Sequence, residues 1–184
     1  MENNKKILLH VCCATCGAGC VERLKELDFS DIVLFEFNPN IYPIDEYERR
    51  KKDMISLSEI KKIPLYTGAY DHEEWLKQIE GLQKEPEGGK RCDVCFKLRL
   101  KMTAKKSKEL NIRFFTTTLT VSPHKNFKRI ELIGKEAGKE YEVDFYSTDF
   151  KKNDGFKKSI EASKKYGFYR QNYCGCEFSI RKKA

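Results

Sequence analysis

Short apolar segments alternate with longer segments of helical periodicity along most of this chain, and this alternation restricts the possible folds more than any other feature. The apolar segments predict strands at positions 6–12, 32–37, 64–66 and 113–117, with a weaker strand at 143–146. The other segments predict helices at 18–27, 45–62, 72–79, 94–110, 126–140 and 153–166. Continuously apolar strands joined by helices indicate an α/β fold with a mainly parallel, Rossmann-like sheet and helices on both faces.

Short polar side chains mark several of the predicted helix starts. We expect Asp45 to cap the second helix and Asp71 the third, and the last helix to begin near Asn153 or Asp154. The polar stretch 81–91 contains a proline and paired glycines and predicts a mobile loop.

The length of 184 residues, with 40% hydrophobic and 35% charged residues, suits one compact domain. We predict a single α/β domain over residues 1–184, in which a basic, aromatic tail at about 167–184 closes on the site. No apolar run approaches the about 18 residues that a membrane span needs. The apolar part of the N-terminus stops before His10 and is too short for a signal peptide, so the chain is predicted to be cytoplasmic.

The eight cysteines of the chain fall into three groups. The groups are Cys12, Cys13, Cys16 and Cys20; Cys92 and Cys95; and Cys174 and Cys176. In a reducing cytoplasm, clustered cysteines bind metals or carry out redox chemistry more often than they form structural disulfides. The chain is therefore predicted to be a metal–thiolate redox enzyme.

The first cysteine group directly follows the first predicted strand, where the chain turns into a helix. Ligands of parallel α/β sheets bind at the carboxyl ends of the strands, and this position often holds a phosphate-binding loop. Gly17 and Gly19 are present, but neither a GxGxxG nor a GxxxxGK[ST] pattern is. The loop has the location of a nucleotide site and the residues of a metal site.

The second group, Cys92 and Cys95, is a CxxC motif at the start of a predicted helix. There the spacing brings both sulfurs to one side, and free backbone N–H groups stabilise thiolate charge. Together with Cys12 and Cys13, these residues offer four thiolates from two segments, which suits a [4Fe–4S] cluster or an all-thiolate zinc site. Spacing alone leaves both open, whereas a position at the ligand-binding edge of a sheet favours iron–sulfur.

The third group, Cys174 and Cys176, has one glycine between the two cysteines. Such a pair can close a small, strained disulfide, and strained, exposed disulfides tend to be redox-active. The alternatives are that both thiols stay reduced or that they are additional metal ligands.

Three further residues near these groups have open roles. Cys16 is close enough to the turn to contact a metal or substrate, whereas Cys20 is better explained as an ordinary buried thiol. Asp93, between Cys92 and Cys95, is a helix-start carboxylate that could instead bind a second metal or donate a proton.

The net charge of +8, from 36 Lys and Arg against 28 Asp and Glu, favours an anionic partner such as RNA, although a solvated lysine-rich surface has the same composition. Lys125 precedes a predicted helix start at the carboxyl edge of the sheet, where a phosphate could bind. The tail alternates aromatic and charged residues, which suits stacking on unpaired bases or packing in the core.

Four motifs, in order along the chain, carry a family resemblance: LHVCCATC, KRCDVCFKLRL, TTLTVSPHKN and YRQNYCGCEFS. NPNIYPIDEYERRK, after the second strand, also fits. Together they resemble the epoxyqueuosine reductase QueH family over nearly the whole chain, and the combination is far more specific than any single motif.

The resemblance implies a cobalamin-independent enzyme of the last step of queuosine synthesis, which reduces epoxyqueuosine at the wobble position of a tRNA to queuosine. It implies a fold like that of the adenine-nucleotide α-hydrolases. It also implies a [4Fe–4S] cluster bound by Cys12, Cys13, Cys92 and Cys95, and a redox-active disulfide between Cys174 and Cys176.

Removal of an epoxide oxygen to leave an alkene takes two electrons and two protons, whereas one cluster normally passes one electron at a time. The dithiol of Cys174 and Cys176 is a candidate second electron store, and an unidentified donor must reduce it again. A Lewis acid would ease cleavage of the C–O bond. We therefore hypothesise an additional iron near Cys16 and Asp93. The candidate catalytic residues are Cys174, Cys176, Asp93 and Cys16.

Two rival functions stay open from the sequence. A cluster-dependent tRNA thiolation enzyme would need an ATP-binding SGGxDS-like loop after the first strand, where this chain has cysteines. A non-catalytic zinc RNA-binding module would explain the thiols and the basic charge but would be colourless and redox-inert.

Overall fold

The computed structural model describes residues 5–180, and its centre is a five-stranded sheet in the order β3-β2-β1-β4-β5. The strands are β1 (Lys5–Val11), β2 (Phe29–Glu36), β3 (Leu65–Thr67), β4 (Phe114–Thr117) and β5 (Asp144–Phe145). All four pairings are parallel. Because β1 lies between β2 and β4, the chain reverses its direction of winding beside β1, and the carboxyl edge there is where such folds bind ligands.

Six α-helices connect and follow the strands: α1 (Ala14–Glu26), α2 (Ile44–Lys61), α3 (His72–Gln78), α4 (Lys90–Glu109), α5 (Phe127–Tyr141) and α6 (Gly155–Tyr166). Two 3₁₀ turns, Thr118–Val121 and Glu177–Ser179, complete the elements of the described chain. No helix within residues 5–180 is both long and apolar enough to cross a membrane.

Apolar side chains project from both faces of β1 and form part of a hydrophobic core on each side of the sheet. Ile7 and Leu9 pack in a core shared with α1 and α2, and Leu8 packs in a second core shared with α4 and α5. Residues alternate between the faces of a strand, so a strand that is apolar at every position is buried on both sides. The predicted α/β class with a parallel sheet and helices on both faces is confirmed.

Several predicted boundaries were displaced. The first helix begins at Ala14, directly after Cys13, and the fourth begins at Lys90, so Cys92 and Cys95 lie inside its first turns. The thiol-rich segment was expected to be a longer turn, but Gly17 packs so close to α2 that an added Cβ would lie 2.8 Å from Leu57 Cδ2. This close approach lets the helix start immediately at the end of β1.

The predicted helix caps had mixed outcomes. The side chain of Asp71 caps α3 by accepting a hydrogen bond from the Glu74 N–H, as expected. The cap prediction for Asp45 was wrong, because α2 begins one residue earlier with Pro43 as its N-cap. The last helix has Asp154 at its N-cap position, without a side-chain capping bond.

Candidate active site at the carboxyl edge of the sheet

The end of β1 brings three thiols together. The sulfur atoms of Cys12, Cys13 and Cys16 all lie within 4.8 Å of one another, and we call these residues the strand-end thiols. Cys13 is the extended residue before α1, and the helix then returns Cys16 to the same place one turn later. A strand end followed at once by a helix is therefore what makes the three sulfurs converge.

Side chains at the end of the neighbouring strand β4 and in the 3₁₀ turn that follows it surround the end of β1. The Thr118 hydroxyl accepts a hydrogen bond from the Cys12 N–H at 3.1 Å and lies 3.2 Å from its sulfur. His10, which is fully buried, bonds to Thr117 Oγ1 at 2.8 Å. His10 is thus a packed, hydrogen-bonded residue, and burial lowers its pKa to about 3.

The strand-end thiols divide their protons unequally. Hydrogen bonds from the thiols of Cys13 and Cys16 hold the pKa of Cys12 well below its usual range, and the positive charge of Arg99 adds to this. The same bonds to Cys12 raise the pKa of Cys13 to about 11 and that of Cys16 well above its ordinary value. Cys12 is therefore the thiol of the group whose deprotonated form is favoured, with Cys13 and Cys16 as its hydrogen-bond donors.

Cys92 and Cys95 lie in the first turns of α4. The Gly88 N–H donates to the Cys92 sulfur at 3.2 Å, and Cys95 packs with Trp75 and Cys176 in a small buried cluster. Burial raises the pKa of Cys95 to about 11. These contacts place the second cysteine group against the C-terminal segment.

The segment at residues 174–176, called here the CGC segment, is held by contacts to α2 and the loop before it. Buried Arg50 donates to the Cys174 carbonyl at 3.1 Å, and the Tyr42 N–H donates to the Gly175 carbonyl at 2.9 Å. Gly175 has a φ of 140°, which disfavours other residues, and an added Cβ would approach Asn40 to 3.1 Å. Glycine is therefore required between the two cysteines.

Cys174 borders two neighbouring cavities and connects the cysteine groups. The larger cavity, of about 230 Å³, is lined by Cys12, Cys16, Cys174 and Lys125 among other residues. A second, narrow cavity is lined by Cys92 and Cys95 together with Cys174 and Cys176. All eight cysteines are free thiols in the structure.

Lys125, at the start of α5, brings positive charge to the larger cavity. Although burial opposes its charge, the negative charges of Cys174 and Cys12 raise the pKa of this ammonium group. Lys125 therefore stays protonated beside the thiols and can stabilise negative charge that develops in the cavity.

Asp93 and Cys20 lie apart from the strand-end thiols. The Asp93 carboxylate pairs with Arg129 and borders another cavity, shared with Cys92 and His124. Cys20 is 1% exposed within the core. The structure thus groups Cys16, but not Asp93, with Cys12 and Cys13, and the roles predicted for these residues stay predictions.

Buried arginines are the functional candidates that sequence reasoning missed. Arg91 and Arg99 are 1% and 2% exposed and border the cysteine cavities, and Arg50 is 2% exposed beneath the CGC segment. A signal was present, since Arg91, Cys95 and Arg99 recur every four residues and so share one helix face. This spacing did not stand out in so basic a sequence, because most arginines and lysines of such a chain are exposed to solvent.

A parallel sheet whose carboxyl edge carries free thiols and buried cations around a cavity is typical of an α/β redox enzyme. The family model described as epoxyqueuosine reductase QueH matches residues 7–182. The chain belongs to the epoxyqueuosine reductase QueH family, and it is an oxidoreductase of that family. The resemblance carried by the four sequence motifs is confirmed.

Individual relatives agree with the family. The epoxyqueuosine reductase QueH of Streptococcus pyogenes serotype M1 is 41% identical over 95% of this chain and 70% of its own length. The protein of the same name from Acinetobacter baylyi is 36% identical over 98% of this chain and 83% of its own. That from Thermotoga maritima is 35% identical, with 95% and 90% covered.

A solved structure with a similar fold is the U34-tRNA thiolase NcsA from Methanococcus maripaludis with its [4Fe–4S] cluster. The TM-score is 0.57 at 13% sequence identity, over 98% of this chain and 63% of the thiolase chain. This likeness concerns the fold and agrees with the fold that the family resemblance implies.

Proposed function

We propose that the chain reduces epoxyqueuosine in tRNA to queuosine without cobalamin and releases the epoxide oxygen as water. The observation that carries this proposal is the cavity that Cys12, Cys174 and Lys125 line together, in which the pKa of Cys12 is lowered. In a chain of the QueH family, this cavity is where the epoxide would be reduced. The tRNA substrate and the reduced thiols both fit the cytoplasm, where we place the protein.

The electrons and protons balance through the CGC segment. Conversion of the epoxide to an alkene and water consumes two electrons and two protons. Oxidation of the Cys174 and Cys176 thiols to a disulfide breaks two S–H bonds, forms one S–S bond and releases two electrons and two protons. A reductant of the thiol or electron-transfer-protein class must then reduce the disulfide before the next turnover.

Lys125 supplies the charge that C–O cleavage requires. Negative charge develops on the epoxide oxygen as this bond breaks, and a fixed ammonium group in a partly dry cavity stabilises it. Lys125 is held by backbone at the start of α5, where the free N–H groups add the same sign of potential. The same positive end of the helix suits the phosphate groups of the tRNA.

The cysteine site also suits a [4Fe–4S] cluster, for which we propose Cys12, Cys13, Cys92 and Cys95 as ligands. The donor set around the two cavities consists of thiols, the preferred ligands of such clusters. The Nε of Arg99 is buried without a hydrogen-bond partner, and the indole N–H of Trp75 is directed at the Cys95 thiol, so cluster sulfur and its thiolate ligand would be acceptors for them. When bound, the cluster supplies one-electron transfer.

An additional iron near Cys16 and Asp93 is the second part of the cofactor hypothesis. Cys16 lies with the strand-end thiols, whereas Asp93 would have to leave Arg129 to reach a metal there. Iron analysis of anaerobically reconstituted protein should return about five iron atoms per chain, because one cluster holds four and the additional site holds one more. Four or fewer would contradict the additional iron and leave the reductase proposal intact.

The reductase assay uses anaerobic, chemically reduced protein and tRNA that carries epoxyqueuosine. Digestion to nucleosides should reveal queuosine in place of epoxyqueuosine, and protein with Cys20→Ala should behave like the wild type because Cys20 lies in the core. Absence of queuosine with the wild-type protein would contradict the proposal. Thiolated nucleosides in place of queuosine would support a thiolase, and unchanged tRNA bound by a colourless zinc protein would support an RNA-binding module.

A further inference from the structure

One face of α4 carries two buried arginines on either side of its two cysteines. Arg91, Cys95 and Arg99 are spaced by four residues, and Cys92 lies beside the first of them. Residues spaced by three or four positions share a helix face. This face borders both cavities, with Arg91 at the narrow one and Arg99 at the larger one.

Neither of these guanidinium groups has a carboxylate partner. Within residues 5–180, the arginines that pair with carboxylates are Arg23, Arg50, Arg113 and Arg129. Arg99 donates to the neutral side chain of Asn38 at 2.5 Å, and its Nε has no partner. Arg91 donates to the backbone carbonyls of Gln83 and Glu85, and its Nε and one terminal nitrogen have no partner.

A buried, unpaired guanidinium is strongly unfavourable, since it loses water without gaining a counter-charge. Two carboxylates are near enough to be considered. Glu36 is linked to Arg99 only through Asn38, and burial raises its pKa although the charge of Arg99 acts against this. Glu87 borders both cavities but is exposed and forms no ion pair with either arginine in the described structure. Arg91 also lies over the Phe178 ring, and the ionisable groups that the two arginines act on at this edge are thiols, Cys92 for Arg91 and Cys95 for Arg99.

We propose that Arg91 and Arg99 are the buried counter-charges of an anionic cysteine-bound centre at this edge of the sheet. The inference rests on the proposed cofactor, because an oxidised [4Fe–4S] core with four thiolates carries about two net negative charges, which two guanidinium groups offset. Their unpaired N–H groups become donors to the sulfur atoms of that centre. They are positioning residues, which act on the centre and not on the substrate.

This arrangement has two consequences. The centre stabilises the folded chain by compensating the arginines, and the arginines slow the loss of the centre. They also favour addition of an electron, because an added negative charge lies beside positive charge. Removal of one guanidinium should therefore act mainly on the loaded protein and only weakly on the metal-free protein.

The test compares Arg99→Met with Arg50→Met as the matched control. Both arginines are 2% exposed, and methionine keeps an unbranched apolar chain in each place. Arg50 also lies near Cys13, but unlike Arg99 it has its own carboxylate, Glu46, which offsets its charge in both forms of the protein. Thermal midpoints are measured for the metal-free, reduced protein and for the reconstituted protein, together with the rate of iron loss to a chelator and the reduction potential.

We expect Arg99→Met to lower the midpoint of the reconstituted protein clearly more than that of the metal-free protein, and this difference to be clearly smaller for Arg50→Met, because loss of the Glu46 pair destabilises both forms. Iron loss should accelerate about 10-fold or more in Arg99→Met. The equilibrium for adding an electron should become about tenfold less favourable, a shift of about 59 mV to lower potential for a one-electron couple. Arg99→Lys should restore most of each loss.

Equal lowering of both forms by Arg99→Met, or failure of Arg99→Lys to restore retention, would overturn the inference. So would a wild-type chain that binds no cluster on reconstitution, because the arginines would then lack the proposed counter-charge. A chain that binds the cluster, responds to Arg99→Met as expected and fails to reduce epoxyqueuosine would contradict the proposed function alone.

Discussion

The strand-end thiols and the CGC segment both contribute to the lining of one cavity, through Cys12, Cys16 and Cys174, yet they are held there by different means. Cys12 and Cys13 extend a strand that is buried from Ile7 to Val11, and local backbone geometry brings Cys16 to them. The CGC segment has no strand or long helix of its own and is held by side-chain and backbone contacts to α2 and the loop before it. The first region is fixed by the fold itself, and the second depends on a few long-range contacts.

This difference suggests a division of labour. A rigid strand end is suited to holding a centre whose geometry must not change, and a segment with few anchors is suited to a disulfide that must form and open in each turnover. Substitutions in the two regions should therefore have separable effects on stability and activity.

The largest expected effect is on activity from Cys174→Ser. Serine cannot form the disulfide that releases two electrons, so the rate of queuosine formation should fall on the order of 10³-fold or more. Quantification of queuosine in digested tRNA measures this, with Cys20→Ala as the thiol control outside the cavity. Activity within a few-fold of wild type would remove the CGC segment from the chemistry.

Arg50→Met should lower both stability and activity, because it releases the CGC segment and leaves Glu46 without its partner. Breaking a buried ion pair costs about 3–5 kcal/mol, which should appear in the free energy of unfolding in urea. Arg49→Met on the same helix removes only a stacking contact with Tyr169 and should cost about 1 kcal/mol or less. Equal losses at the two positions would refute a specific role for Arg50.

Acid should weaken the strand-end region through His10. Its pKa is about 3 in the folded chain and about 6.5 when unfolded, so only the unfolded chain gains this proton between these values, and stability falls as pH falls below 6.5. Between pH 6.5 and 5 the loss should be about 2 kcal/mol in the metal-free protein. His10→Gln should reduce the pH dependence by this amount. An unchanged slope in His10→Gln would contradict the prediction.

Tyr173→Phe should have the smallest effect. Its hydroxyl donates to the Tyr42 carbonyl at 2.5 Å on the protein surface, and its ring lies beside Arg50. Loss of one exposed hydrogen bond should cost about 1 kcal/mol or less in unfolding experiments, since the ring contact remains. A loss as large as that of Arg50→Met would mean that the tyrosine, and not the arginine, anchors the CGC segment.

The same contrast explains what the sequence could predict. The parallel sheet, its helices and the position of the first cysteines follow from hydrophobic periodicity, which acts over a few residues. The capping role of Asp45 failed because the helix started one residue earlier, at a boundary that several nearby residues could have formed.

Long-range contacts were the part that the sequence did not reveal. Arg50 is separated by more than a hundred residues from the carbonyl of Cys174 that it binds, and nothing in its local pattern distinguishes it from the exposed basic residues beside it. The division of protons among Cys12, Cys13 and Cys16 also depends on their final geometry. Such features require the folded structure because they arise from elements that are distant in the chain.

The central claim is that electrons for the epoxide pass through the CGC segment, and a single-turnover experiment tests it most directly. Reduced protein is freed of reductant under anaerobic conditions, mixed with tRNA carrying epoxyqueuosine, and analysed for queuosine and for free thiols by differential alkylation and mass spectrometry. The account predicts one disulfide between Cys174 and Cys176 for each queuosine formed. Queuosine formed while both thiols remain free would contradict it.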